Sequence, residues 1–126
     1  MNRRLPDEPL WDREATLARL GGDAELLAEM IGFYREDSPQ LIERCDRAFA
    51  AGDLPAAARA AHAIRGLAAT FDGRQVMQAA TDLEERCRAG DVNGAAAGLA
   101  AARSTSEALA DRLAEYLGSS ERLEPS

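Results

Sequence analysis

The chain is predicted to be all-α, an up-and-down antiparallel four-helix bundle with an additional short N-terminal helix. Three observations predict it. Apolar residues recur at three- and four-residue intervals along most of the length, and no segment shows the two-residue alternation of a strand. Two identical tripeptides, Ala51-Gly52-Asp53 and Ala89-Gly90-Asp91, and a related Gly21-Gly22-Asp23, place glycine where a helix ends in left-handed backbone and aspartate where the next begins. The turns so marked are short, and short turns between long helices make sequence neighbours antiparallel. With 126 residues, 46% of them hydrophobic, there is material for one core. The expected organisation is a bundle over residues 11–118 between flexible segments at 1–10 and 119–126.

The first helix is expected from Trp11 to Leu20, with Leu17 and Leu20 covering one end of the bundle and Trp11 as a plug. After Asp23 a long amphipathic helix carries Leu26, Leu27, Met30, Ile31, Phe33 and Tyr34 and, further on, Leu41, Ile42, Cys45 and Phe49. Pro39, following Ser38, is expected to kink it. The third helix spans Asp53 to Phe71, and Pro55 falls in its first turn, where a missing N–H costs little. The fourth is expected to open at Asp72, capped by its carboxylate while Gln75 reaches back, and to turn Val76, Ala79, Ala80, Leu83 and Cys87 inward before ending at Gly90. The last runs from about Asp91 to Leu117 on Leu99, Leu109, Leu113 and Leu117. Its polar middle, Arg103-Ser104-Thr105-Ser106, reads as frayed.

Composition excludes several classes of function. A formal net charge of -7 argues against nucleic acid or an anionic membrane as the main partner. The N-terminal Met1-Asn2-Arg3-Arg4-Leu5-Pro6-Asp7 lacks the apolar stretch of a signal peptide, and the small-residue run from Gly94 to Ala102 is too short to span a bilayer, so a cytoplasmic location is expected. There is no P-loop or glycine-rich nucleotide motif, which argues against an ATP-dependent kinase, and one histidine is too few for a zinc enzyme. Cys45 and Cys87 lack paired spacing and read as small buried hydrophobes.

The single histidine, His62, is the residue with chemistry to offer. On a helix, Ala57, Ala61, Ile64, Ala68 and Phe71 share one stripe, and His62 lies roughly 140° from its centre, on the solvent side. Arg59, Arg65 and Gly66 are its neighbours at helical spacing. Helical side chains lean toward the N-terminus, so a side chain at position 66 is expected to lie over the imidazole, and glycine removes that lid. A mid-helix glycine costs roughly 1 kcal/mol relative to alanine, and access to His62 is a reason for it. Taken alone, an exposed histidine is more often a solvated residue, and Arg59 reads the same way. Glu84 and the Glu36-Asp37 pair read as solvated or capping charges without acid/base work, since no partner stands near them in sequence.

The register around His62 resembles that of histidine-containing phosphotransfer (HPt) domains. The family pattern is a histidine followed by a hydrophobic residue, a lysine and a glycine, and His62, Ile64, Arg65 and Gly66 stand in those places. Without a gap, Ala68, Phe71, Val76, Ala79, Leu83 and Glu84 fall on its small, apolar, apolar, small, leucine and glutamate positions. Leu20-Gly21-Gly22-Asp23 and Phe33-Tyr34-Arg35-Glu36-Asp37-Ser38-Pro39 extend the likeness upstream, so that it covers about Trp11 to Leu117. Two positions depart from it. Arg65 replaces lysine, which keeps the charge but brings a planar fork suited to phosphoryl oxygens. Asp72 replaces the usual glycine, and Gly73 follows in place of a small residue.

The resemblance implies a relay. His62 takes a phosphoryl group from a receiver aspartate, or from a sensor or hybrid histidine kinase, and passes it to a response-regulator receiver. A neutral imidazole, with an unperturbed pKa of about 6.5, is a competent nucleophile for this. By the same resemblance Arg65 balances phosphoryl charge, Gly66 lets the receiver approach, and Arg59 belongs to the same electrostatic surface. The family's receivers bring the acidic pocket and magnesium, so no cofactor or metal is expected here, and a monomer is expected. The alternative is an unphosphorylated helical-bundle adaptor that binds a receiver or kinase domain. A histidine-kinase dimerisation hairpin fits less well, because an acidic residue typically follows its histidine and Ala63 stands here.

Overall fold

A computed structural model describes residues 9–123, with side chains through Ser119. It contains α1 (Arg13–Arg19), α2 (Ala24–Ala50), α3 (Leu54–Ala69), α4 (Arg74–Arg88) and α5 (Val92–Leu123), and no strand among the described residues. Helices α2 to α5 form the bundle: α3 packs between α2 and α4, and α5 closes the ring against both. No helix of the described residues is long and apolar enough to cross a membrane. Helix α5 runs past the expected bound at 118, and residues 1–8 and 124–126 of the expected flexible ends lie outside the described residues.

The glycine–aspartate punctuation places the turns. Gly22, Gly52 and Gly90 have φ of 77°, 76° and 74°, where an L side chain is strained. Asp23 and Asp53 then accept hydrogen bonds from the N–H groups of Leu26 and Ala56, and Asp91 accepts one from Gly94. The stripe Ala57, Ala61, Ile64, Ala68 and Phe71 is fully buried, and so are Val76, Ala80, Leu83 and Cys87 facing it from α4. Alanine dominates the buried face of α3, which lets α2 and α4 approach it closely.

Helix α2 is continuous through Pro39, whose ring is exposed while Ser38 beside it is buried. Three local expectations are corrected. Phe33 is not in the core but 56% exposed, because Leu27, Ile31 and Tyr34 already fill the inward face and Phe33 is turned about 100° from Tyr34. The polar middle of α5 is not frayed: Ser106 is buried and its Oγ lies 3.0 Å from the Tyr34 hydroxyl, inside the bundle. Asp72 does not cap α4. It takes φ of +52°, and Gly73 is the N-cap without a side-chain bond. A Cβ on Gly73 would lie 2.9 Å from Leu109 Cδ2 and 3.3 Å from Ala68 O, so close packing reserves that position for glycine and pushes the aspartate into left-handed backbone.

The displaced Asp72 anchors α1 instead. Arg19 donates to Asp72 Oδ2 at 3.1 Å and to Thr70 O at 2.8 Å, and the Asp12 N–H donates to Phe71 O at 3.0 Å. Trp11 meets Phe71 and Tyr116 edge-to-face at 6.0 and 5.6 Å, and plugs the end of the bundle as expected.

Candidate functional site

His62 stands at mid-height on α3, opposite the helix's buried stripe, with its side chain 62% exposed. Asp53 and Pro55 start the helix, Ala57, Ala61 and Ile64 fix its rotation against the core, and position 62 is thereby turned outward. Arg65 and Gly66 are exposed one turn on and Arg59 one turn back. Among the described residues neither Arg59 nor Arg65 enters an ion pair or side-chain hydrogen bond. Two guanidiniums, without an ionic partner among the described residues, therefore flank the imidazole on its own helix.

The residue that sequence reasoning passed over is Glu84. It reaches across from α4, and its Oε1 lies 3.2 Å from His62 Nδ1. Its other oxygen, Oε2, accepts from Arg88 Nε at 3.1 Å and Nη2 at 2.9 Å. The carboxylate is thus held on both sides, and its side chain is only 17% exposed. Desolvation pushes the Glu84 carboxyl up, but the hydrogen bonds and positive charges of Arg88 and His62 together outweigh it and hold the pKa below the usual carboxylate range. Glu84 and Arg88 at i,i+4 were visible as a helix pair. The third member lies on another helix, and only the likeness of position 84 to the family's glutamate pointed to it.

This contact also corrects the lid. A Cβ at position 66 would meet nothing within 4 Å, the imidazole included. The ring leans sideways toward α4 and Glu84 rather than back along α3. Gly66 therefore borders an open surface beside His62, and close helix packing does not explain it.

The thiols offer no competing chemistry. Burial, with smaller contributions from Cys87 and Asp46, pushes Cys45 up to about 11, and its Sγ lies 3.4 Å from Ala57 O. Burial likewise raises Cys87, so both stay protonated at neutral pH and are poor nucleophiles.

A family model described as Hpt domain matches residues 29–118, a span that contains Arg59, His62, Arg65, Gly66 and Glu84. The fold is similar to the crystal structure of a rice protein described as a histidine-containing phosphotransfer protein. The two share a TM-score of 0.77 and 16% identity over 86% of this chain and 80% of that one. A comparison with curated proteins finds no significant match. The family match covers well over half of the sequence, and the five-helix architecture agrees with it: the chain belongs to the Hpt domain family.

Proposed function

We propose that this protein is a phosphocarrier of a two-component phosphorelay, in which Nε2 of His62 receives a phosphoryl group from a receiver aspartate or a histidine kinase and delivers it to a response-regulator receiver. The observation that carries this reading is an exposed imidazole whose Nδ1 is engaged by a carboxylate. An ionised carboxylate only accepts hydrogen bonds, so Nδ1 carries the proton and Nε2 is left with its lone pair.

The step follows from that tautomer. The Nε2 lone pair attacks the phosphorus of an aspartyl phosphate, the N–P bond forms, and the P–O bond breaks with its electrons returning to the aspartate carboxylate. The ring becomes cationic as it bonds, and Glu84 beside Nδ1 offsets the new charge. Arg65, and more weakly Arg59, face the phosphoryl oxygens, and the open surface at Gly66 admits the partner. The reverse sequence, with a receiver carboxylate oxygen attacking phosphorus and the electron pair returning to Nε2, unloads the carrier. Positioning and charge neutralisation supply most of such a transfer. Magnesium enters with the receiver, and this chain contributes no cofactor. The bundle closes its own core, which supports a monomeric carrier, and the composition supports a cytoplasmic one.

The test is transfer from phosphorylated receivers and kinases to the wild type and to His62→Gln. An acid-labile, base-stable phosphoryl group on the wild type alone supports the carrier. Tight binding to a receiver with no transfer from any donor, and equal signalling by His62→Gln, would make the protein an adaptor.

A further inference from the structure

Resting on the carrier reading, we propose that Arg88 is a positioning residue that prolongs the life of the phosphoryl group on His62 by sharing the Glu84 carboxylate with the imidazole.

A phosphoimidazole loses its phosphoryl group most readily when Nδ1 is protonated, because the ring then departs as neutral imidazole. In hydrolysis a water oxygen bonds to phosphorus, the N–P electrons return to Nε2, and the water proton leaves to solvent. A carboxylate 3.2 Å from Nδ1 favours the protonated ring and hence the departure. Glu84 by itself would therefore make a good acceptor site and a leaky store.

Arg88 moderates that pull. Its Nε and Nη2 both bind Oε2, the oxygen that His62 does not use, so the guanidinium draws negative charge away from Oε1 without displacing the imidazole. Glu84 and Arg88 are the charged groups of this contact on α4, while Arg59 and Arg65 flank His62 on α3. Those two arginines stay in place when position 88 is changed, so substitution there isolates the effect.

The experiment loads the full chain with phosphoramidate, a small donor that needs no partner protein, and follows loss of phosphohistidine by phosphorus NMR from pH 6 to pH 9. Wild type, Arg88→Gln, Arg88→Lys, Glu84→Gln and the Arg88→Gln/Glu84→Gln pair are compared. Removing one positive charge near a partly exposed contact is expected to hasten loss about threefold at pH 7 in Arg88→Gln and to move its pH–rate profile to higher pH. Arg88→Lys restores most of the lifetime, Glu84→Gln lengthens it, and the double variant follows Glu84→Gln because Arg88 acts through that carboxylate. An unchanged or longer lifetime in Arg88→Gln, or the same acceleration when Glu84 is already glutamine, overturns the proposal. Failure of the wild type to load at His62 from this or any protein donor is a separate result, and it overturns the carrier reading itself.

Discussion

Replacing Gly66 with alanine separates a structural role for this glycine from an access role. Position 66 is exposed, lies in the interior of α3 three residues before its last residue, and offers open space to a Cβ, with no atom within 4 Å. Alanine there gains helix propensity without a steric debit, so the fold should be stabilised by about 0.5–1 kcal/mol, or about 2–5 °C in Tm for a chain of this size. Gly98 on α5 is the internal control. Its Cβ would lie 3.2 Å from Leu83 Cα and 3.4 Å from Leu83 Cβ, backbone-bound atoms that cannot swing aside, so the same propensity gain should be cancelled or reversed. Urea unfolding followed by circular dichroism reads both. In parallel, the rate of transfer from a phosphorylated receiver should fall in Gly66→Ala and fall further, about tenfold or more, in Gly66→Gln, equivalent to at least about 1.4 kcal/mol of lost transition-state stabilisation. A Gly66→Ala protein less stable than wild type would show that the glycine serves the fold. A Gly66→Gln protein that transfers at the wild-type rate would remove its role in access.

Other consequences are equally direct. Asp72→Ala keeps a Cβ in left-handed backbone, so the strain of the turn stays, and loses the bond from Arg19; it should destabilise by about 0.5–1 kcal/mol in urea, whereas an unchanged midpoint would deny that this ion pair helps to anchor α1. Tyr34→Phe leaves the buried Ser106 hydroxyl without its partner and should cost about 1 kcal/mol by the same measurement; full stability would mean that the hydroxyl pair contributes nothing. Glu84 has a depressed pKa in the fold, so it stabilises at pH values above its unfolded value of about 4.3 and loses that contribution as pH falls through the lower folded value. Glu84→Gln should accordingly be less stable than wild type at pH 7, and the gap should close in acid; a gap that persists at low pH would assign the effect to packing instead.

Much of the fold is legible along the chain because its determinants are local. The Gly-Asp doublets at 22–23, 52–53 and 90–91 set backbone handedness and caps within one or two residues, and the inward stripes of α3 and α4 follow from 3.6-residue spacing alone. What was misread depends on groups distant in sequence. Asp72 has the same cap chemistry as Asp23 and Asp53, but Leu109 from α5 reserves the next position for glycine and shifts the aspartate into the turn. Ser106 looked like a break in an apolar helix because its partner, Tyr34, is 72 residues away. At the site, His62 announces itself by angle and neighbours. The orientation of its ring is decided by Glu84, a residue whose nearest sequence neighbours suggest only an ordinary helix pair with Arg88.

The central claim is that one nitrogen of one residue carries phosphate, and phosphorus–proton correlation NMR on the loaded protein tests it directly. Phosphorus on Nε2 couples to both ring protons of His62, at Cδ2 and Cε1, whereas phosphorus on Nδ1 couples to the Cε1 proton only. The hydrogen bond from Nδ1 to Glu84 predicts both couplings on the His62 ring after transfer from a phosphorylated receiver. A single coupling to the Cε1 proton, or phosphorus on any other side chain, would contradict the account.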